Sequence, residues 1–326
     1  MDKGEPEQYI TYINSLGSVK VSKQEEEDML YQTAENRYMD EKYAEAITSF
    51  KKYLASFPEG NYSTKAEYYL ADCYMREKDT LQAGEYYYKV AMKPYGQYTE
   101  KSLLNSANIY SSIDTEKALR VYNRLDSITT SSANKLLARK GRMNIYYDVT
   151  DYNNAISAAN NLLEMENIDQ STKDNAYFVL ADSYLNIDKS ENAKEYIKEL
   201  QKSANLKYSS FAQYSLAKIE FDNKNYKESE KIIRQMSKSG ADDYYLALGF
   251  ILWADIFSVN GNDFQAKQTL QSIIDNYDGD DGIKQLATDK LAQLENKNNK
   301  EKQENEDKLN KQENSVDEII IEDNKY

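Results

Sequence analysis

Apolar positions along the chain recur at helical spacing, not at the alternation of a half-buried strand. One pattern, a small residue followed by a large one four later, is anchored at Ala46, Ala83, Ala118, Ala155, Ala193, Ser229 and Ala266. The anchors are 37, 35, 37, 38, 36 and 37 residues apart. The large partners are Phe50, Tyr87, Tyr122, Ile197, Ile233 and Leu270, and only Ala159 is small. Eleven or twelve residues before each anchor stands a second small residue: Ala34, Ala71, Ala107, Ala181, Ala217 and Ala254, with Met143 in the fourth repeat. An aromatic follows three later at Tyr74, Tyr110, Tyr146, Tyr184 and Phe257. Arg37 and Glu220 interrupt this, with Tyr38 and Phe221 next to them.

Each repeat therefore predicts two helices, A and B, that approach closely at their small residues while the large residues fill the gaps beside them. Short polar turns, Asp40-Glu41-Lys42, Glu77-Lys78-Asp79, Val149-Thr150-Asp151 and Asn260-Gly261-Asn262, make the pair antiparallel. The third repeat is shorter here, Ser111-Ser112-Ile113-Asp114. One such hairpin cannot bury its apolar stripe alone, whereas stacked hairpins can.

This spacing resembles the tetratricopeptide repeat family, whose pattern is W-x₂-L-G-x₂-Y, then A-x₃-F, then P. The fifth repeat supplies Tyr177, Leu180, Ala181, Tyr184, Ala193 and Ile197. The first supplies Ala46, Phe50 and Pro58, and the seventh Phe250, Trp253, Ala254, Phe257 and Ala266. The resemblance implies an all-α fold, a right-handed superhelical α-solenoid of about seven helix hairpins over residues 27–281. The segments Tyr43 to Tyr53, Phe57-Pro58, Ala66 to Ala71 and Ile273 to Tyr277 are similar in style to repeats of bacterial cell-envelope proteins.

The ends depart from the repeat. Residues 1–26 read as a lead-in or linker, with a short helix from Pro6 to Leu16, and fit either a ragged terminus or the entry into the C-terminal part of a longer protein. Ile283, Leu286, Ala287, Leu291 and Leu294 predict a capping helix over 282–296, the closure an open solenoid needs. Residues 297–326 are charged, and disorder or a frayed helix is expected there. Val316, Ile319, Ile320 and Ile321 within them could form a docking strand on a partner's sheet edge.

Composition then removes function classes. The chain has 326 residues, a formal charge of −14, no His, one Cys, three Pro and 30 Tyr. Without His there is no Ser–His–Asp triad and no imidazole ligand. Cys73 alone makes no internal disulfide and no Cys-rich zinc site, and a buried structural thiol is expected. The acidity opposes nucleic-acid binding. No uncharged apolar run is long enough to span a bilayer. The N-terminal residues show no signal-peptide core. Asp275 to Gly282, DNYDGDDG, fails the EF-hand spacing and reads as a connection in which Gly279 ends one helix and Asp280 or Asp281 caps the next. Ser49/Lys52, Ser132/Lys135 and Ser215/Lys218 lack the companion motifs of Ser-x-x-Lys enzymes. No catalytic residue, metal or cofactor is expected, and the chain is read as a non-enzyme.

The resemblance implies that A helices line a concave face where family ligands, protein segments, lie. The family's contact positions fall on Tyr31, Glu35, Tyr38, Tyr68, Asp72, Met75, Asn108, Lys140, Asn144, Tyr147, Phe178, Asp182, Tyr214, Lys218, Phe221 and Asp255. They form aromatic knobs with an acidic and amide ladder between. About half of the tyrosines are expected to pack on a neighbouring repeat, ring buried and hydroxyl wet. Lys140 and Asn144 begin a carboxylate clamp known in the family, but Val179, Phe211 and Ser215 stand where its other members should be. The expected function is a non-catalytic scaffold that binds other proteins in this groove. The alternative is a structural or assembly subunit of a bacterial envelope complex acting through its convex face, ends or tail. The location would be periplasmic or outer-membrane-associated within a longer exported parent, and otherwise cytoplasmic.

Overall fold

The computed structural model describes residues 11–13, 15, 21–300 and 303. The Pro6–Leu16 helix falls largely, and the tail strand around Ile319–Ile321 wholly, outside them. Among the described residues the chain is all-helical with no strand. It divides at Asn167/Ile168 into two compact units.

The first unit holds four hairpins: α1 (Lys23–Met39) with α2 (Tyr43–Ser56), α3 (Ser63–Arg76) with α4 (Thr80–Met92), α5 (Thr99–Tyr110) with α6 (Thr115–Ile128), and α7 (Ser132–Asp148) with α8 (Tyr152–Leu163). The second holds three: α9 (Gln170–Asn186) with α10 (Ser190–Leu200), α11 (Leu206–Asp222) with α12 (Tyr226–Ser239), and α13 (Asp243–Val259) with α14 (Asp263–Asn276). A further helix, α15, runs over 283–300. Within each unit consecutive helices pack on one another, the arrangement the repeat spacing requires.

The small residues sit at the helix crossings. Ala46, Ala83, Ala118, Ala155 and Ala193 are fully buried, as are Ala34, Ala71 and Ala181. Ser229 replaces the anchor alanine in the sixth repeat and donates its hydroxyl to the Ala217 carbonyl, 2.7 Å away, so the polar atom is satisfied inside the crossing. In the fourth repeat the sizes are exchanged: Met143 stands at the small position and Ala159 at the large one, both fully buried. The apolar volume is kept, which is the kind of core exchange that is tolerated best. Burying large partners such as Phe50, Tyr87 and Ile197 stabilises the hairpins by roughly 1.5–3 kcal/mol each.

Several helix starts are capped by side chains. Ser22 and Glu25 form a capping box on α1, and Asp79, Asp114, Asp151 and Asp169 accept N–H bonds at the starts of α4, α6, α8 and α9. The connection before α15 differs from its expectation. α14 stops at Asn276, three residues before Gly279, and the left-handed residue is Gly282, φ 84°. Asp281 does cap, accepting the Ile283 N–H at 3.2 Å. Gly279 is needed for a different reason: a Cβ there would lie 2.5 Å from the Tyr277 ring. α15 packs Ile283, Ala287 and Leu294 into the core cluster of α13 and α14.

Candidate functional site

The A helices carry the family's contact positions at the fifth, ninth and twelfth places of each repeat, spacing that puts the three on one face. In the first unit much of this face is aromatic and self-satisfied. Tyr31 is 2 % exposed. Its ring stacks on Tyr62 at 4.3 Å and its hydroxyl donates to Glu35 at 2.9 Å. Tyr38 stacks on Tyr69, 4.6 Å, and Tyr68 on Tyr98, 4.6 Å. Each of these stacks joins an A helix to the start or body of the next repeat's A helix. Tyrosine suits the task because its ring adds packing area while its hydroxyl finds a partner at the wet edge.

The ninth-position residues are polar, and several are held by the following repeat. Glu35 pairs with Lys65 of α3 at 2.7 Å, and Asp255 with Lys290 of α15 at 2.7 Å. Asp72 accepts the Tyr38 hydroxyl of α1 at 2.9 Å and the Tyr87 hydroxyl of α4 at 3.4 Å, and pairs with Arg76 at 3.5 Å. One carboxylate thus ties three helices. Burial first, and then this carboxylate, push the Tyr38 and Tyr87 hydroxyls above the usual tyrosine range. The neighbouring Cys73 thiol is buried and pushed up to about 12, by burial and then by the Asp72 charge, which keeps it protonated and unreactive.

Other contact positions are more open. Met75, Asn108 and Lys140 are exposed, on three successive A helices, α3, α5 and α7. Asn144 and Tyr147 are half-buried, the latter edge-on to Tyr152 at 6.5 Å. In the second unit Phe178 packs edge-on against Phe211 at 4.8 Å, and Tyr214 lies 6.2 Å from Tyr245. Burial pushes the Tyr214 hydroxyl up to about 12. Lys218 pairs with Asp222 at 2.5 Å and lies 5.7 Å over Phe221. Asp182, half-buried, accepts from Asn186 at 3.1 Å. The face is therefore divided: its aromatic members mostly join repeats, several of its acids are held by neighbouring helices, and Met75, Asn108 and Lys140 are exposed.

The structure adds a set of residues the repeat reading did not single out. The first position of the repeat often carries a buried or half-buried polar side chain that holds the entry into the next hairpin. Glu27 accepts from Tyr53 at 2.8 Å and Asn61 at 3.2 Å. Glu100 accepts from Thr129 at 3.0 Å and Asn134 at 3.1 Å. Asp174 accepts from Ser203, and the Ser210 hydroxyl from the Asp242 N–H at 2.9 Å. In α3 the comparable residue is Glu67, fully buried and paired with Lys89 at 2.6 Å and with Lys93. The available signal was an acid or Ser four residues before the fifth-position side chain in four of the seven repeats, at Glu27, Glu100, Asp174 and Ser210. It was hidden because acids on helices are usually solvated.

No group of three or more His, Cys, Asp or Glu able to hold a metal ion occurs among the described residues. No helix among them is long and apolar enough to cross a membrane.

Residues 28–60, the first hairpin, match a family model described as tetratricopeptide repeat. No curated protein matches the chain. Among solved structures, it is similar to a tetratricopeptide repeat protein from Parabacteroides merdae, with 17 % identity, 80 % of this chain and 97 % of that one covered, and a TM-score of 0.37. The C-terminal part of a repeat-containing protein from Cytophaga hutchinsonii gives 13 %, 78 %, 97 % and 0.48. The apo form of the quorum sensor NprR from B. thuringiensis gives 15 %, 84 %, 82 % and 0.40. The first hairpin matches a tetratricopeptide repeat, and the six hairpins that follow are built on the same small-residue crossings.

Proposed function

We propose that the chain is a non-catalytic scaffold that holds segments of other proteins against the A-helix face. The observation that carries this is the row of Met75, Asn108 and Lys140. These residues stand at contact positions of three successive repeats, and all three are exposed while the aromatics around them are consumed in joining repeats. Methionine adapts to varied apolar side chains. An amide can both donate to and accept from a bound backbone. Fixed repeats beneath them supply a rigid platform, which lowers the ordering cost of binding.

Site-specific photocrosslinking tests the reading. A photoreactive residue placed at Met75, Asn108 or Lys140 in cells that naturally make the protein is expected to capture a partner protein. The same residue at Leu81, exposed on helix α4, is expected to capture nothing. Capture at Leu81 with none at the three A-helix positions would overturn the proposal in favour of action through the B helices.

A further inference from the structure

The last hairpin holds an open cleft of about 880 Å³ that runs along α13 from Asp243 to Phe257 and along α14 from Gln268 to Asn276. Its apolar lining includes Leu246, Phe250, Trp253, Phe257, Ile273 and Tyr277. Phe250, Trp253 and Phe257 follow one another along one side of α13, with ring centroids 6.1 and 5.6 Å apart and nearly parallel planes. Arg234 of α12 covers one face of the indole at 4.4 Å, fixing its orientation. None of the A-helix contact positions Ile251, Asp255 and Ser258 lines this cleft. It is therefore a surface separate from the one proposed above.

Its charge is one-sided. The lining contains Asp243 and Asp278, both exposed, and no Lys or Arg. Further carboxylates flank it: Asp242 beside Asp243, and Asp280 and Asp281 beyond Asp278. The loop and the start of α13 meet electrostatically at Tyr277. Its hydroxyl donates to Asp281, and burial, this bond and the charges of Asp281, Asp242 and Asp243 all hold it protonated. An apolar floor with an acidic mouth fits an apolar anchor bearing basic flanks.

We infer that this cleft docks a cationic amphipathic segment of another protein, large apolar side chains entering over Phe250 and Trp253 and lysine or arginine meeting Asp243 and Asp278. The chain's own apolar tail residues, Val316 and Ile319 to Ile321, are a poorer match because Asp317, Glu318, Glu322 and Asp323 surround them. A second copy is disfavoured by the −14 charge each would bring.

The single tryptophan, Trp253, makes the inference testable in the whole 326-residue chain. The probe is a synthetic peptide of about twelve leucine, phenylalanine and lysine residues in amphipathic order. Its addition is expected to shift Trp253 emission saturably. The D243K/D278K chain should bind it about tenfold or more weakly, and a peptide with glutamate for lysine should give no shift. If D243K/D278K loses helix by circular dichroism, S272R, a substitution of an exposed cleft-edge residue, is expected to weaken the peptide in the same way. Absence of a saturable shift, or equal binding by the glutamate peptide or by folded variants, overturns the inference. So does an altered Trp253 emission in a chain ending at residue 303, which would identify the tail as the occupant. A dimer that D243K/D278K dissolves would identify a second copy and overturn it as well.

Discussion

In six of the seven hairpins the turn between helices passes through the left-handed region, at Glu41, Lys78, Thr150, Asp188, Lys224 and Gly261. Only one of the six is glycine. At Thr150 the residue is β-branched, and φ 58° is costly for such a side chain. Relieving a left-handed L-residue is worth roughly 1–2 kcal/mol, offset by the extra freedom glycine gains when unfolded. Thr150→Gly is therefore expected to raise stability by about 0.5–1 kcal/mol, read as a higher denaturant midpoint at unchanged slope. Gly141 gives the opposite sign. In an exposed helix interior Gly→Ala stabilises by about 1 kcal/mol. Here an added Cβ would lie 2.3 Å from the Tyr122 ring, and overpacking wins. Gly141→Ala is expected to cost about 1–3 kcal/mol, measured by the same titration.

Between elements, the small-residue crossing and the buried acid decide stability in different ways. Ala181 of α9 is fully buried, as is Ala193 of α10. Ala181→Leu should force the two helices apart and cost about 1–3 kcal/mol; a neutral result in thermal unfolding would place the crossing elsewhere. Glu67 poses an asymmetric test. Its carboxylate is fully buried, whereas Lys89 is largely exposed and Lys93 partly so. Removing both lysines leaves an uncompensated buried charge, and Lys89→Ala with Lys93→Ala is expected to cost about 3–5 kcal/mol. Glu67→Leu instead frees two lysines that can reach water, and is expected to change stability by less than about 1 kcal/mol. Chemical denaturation of the two variants separates these outcomes.

For the whole molecule the tyrosine excess becomes a pH dependence. Tyr98, Tyr110 and Tyr214 are pushed up to about 12, chiefly by burial, and the Cys73 thiol to about 12 for the same reason. The unfolded chain releases these protons near pH 10 for tyrosine and about 8.5 for cysteine. Folded-state values above the unfolded ones mean that the folded chain binds more protons in between. Their stabilisation is complete below the unfolded values and is lost as pH rises toward 12. Equilibrium stability measured between pH 9 and pH 12 is expected to fall steadily, with tyrosinate absorbance at the upper end appearing together with helix loss. Tyrosinate absorbance that rises fully while helix content holds would contradict this.

The sequence by itself determined the hairpins, their number and their crossings, because a small residue at a fixed helical interval has one physical use: letting two helices touch. It also placed Cys73 inside and narrowed the cap before α15 to Asp280 or Asp281, of which the structure uses Asp281. The tertiary structure alone decided which side of each tyrosine is used. Tyr31 and Met75 both stand at contact positions, yet one is enclosed by Tyr62 and the other is open, since enclosure depends on the partner ring that the next repeat brings up. The same holds for Glu27, Glu100 and Asp174, whose charges look solvated in sequence until hydroxyls and amides 26 to 34 residues away arrive beside them. The cleft over Phe250 and Trp253 belongs to this second class too. Residues that close the core in a repeat pattern left an apolar floor open here, and helical periodicity registers which side chains share a face but not what lies above it.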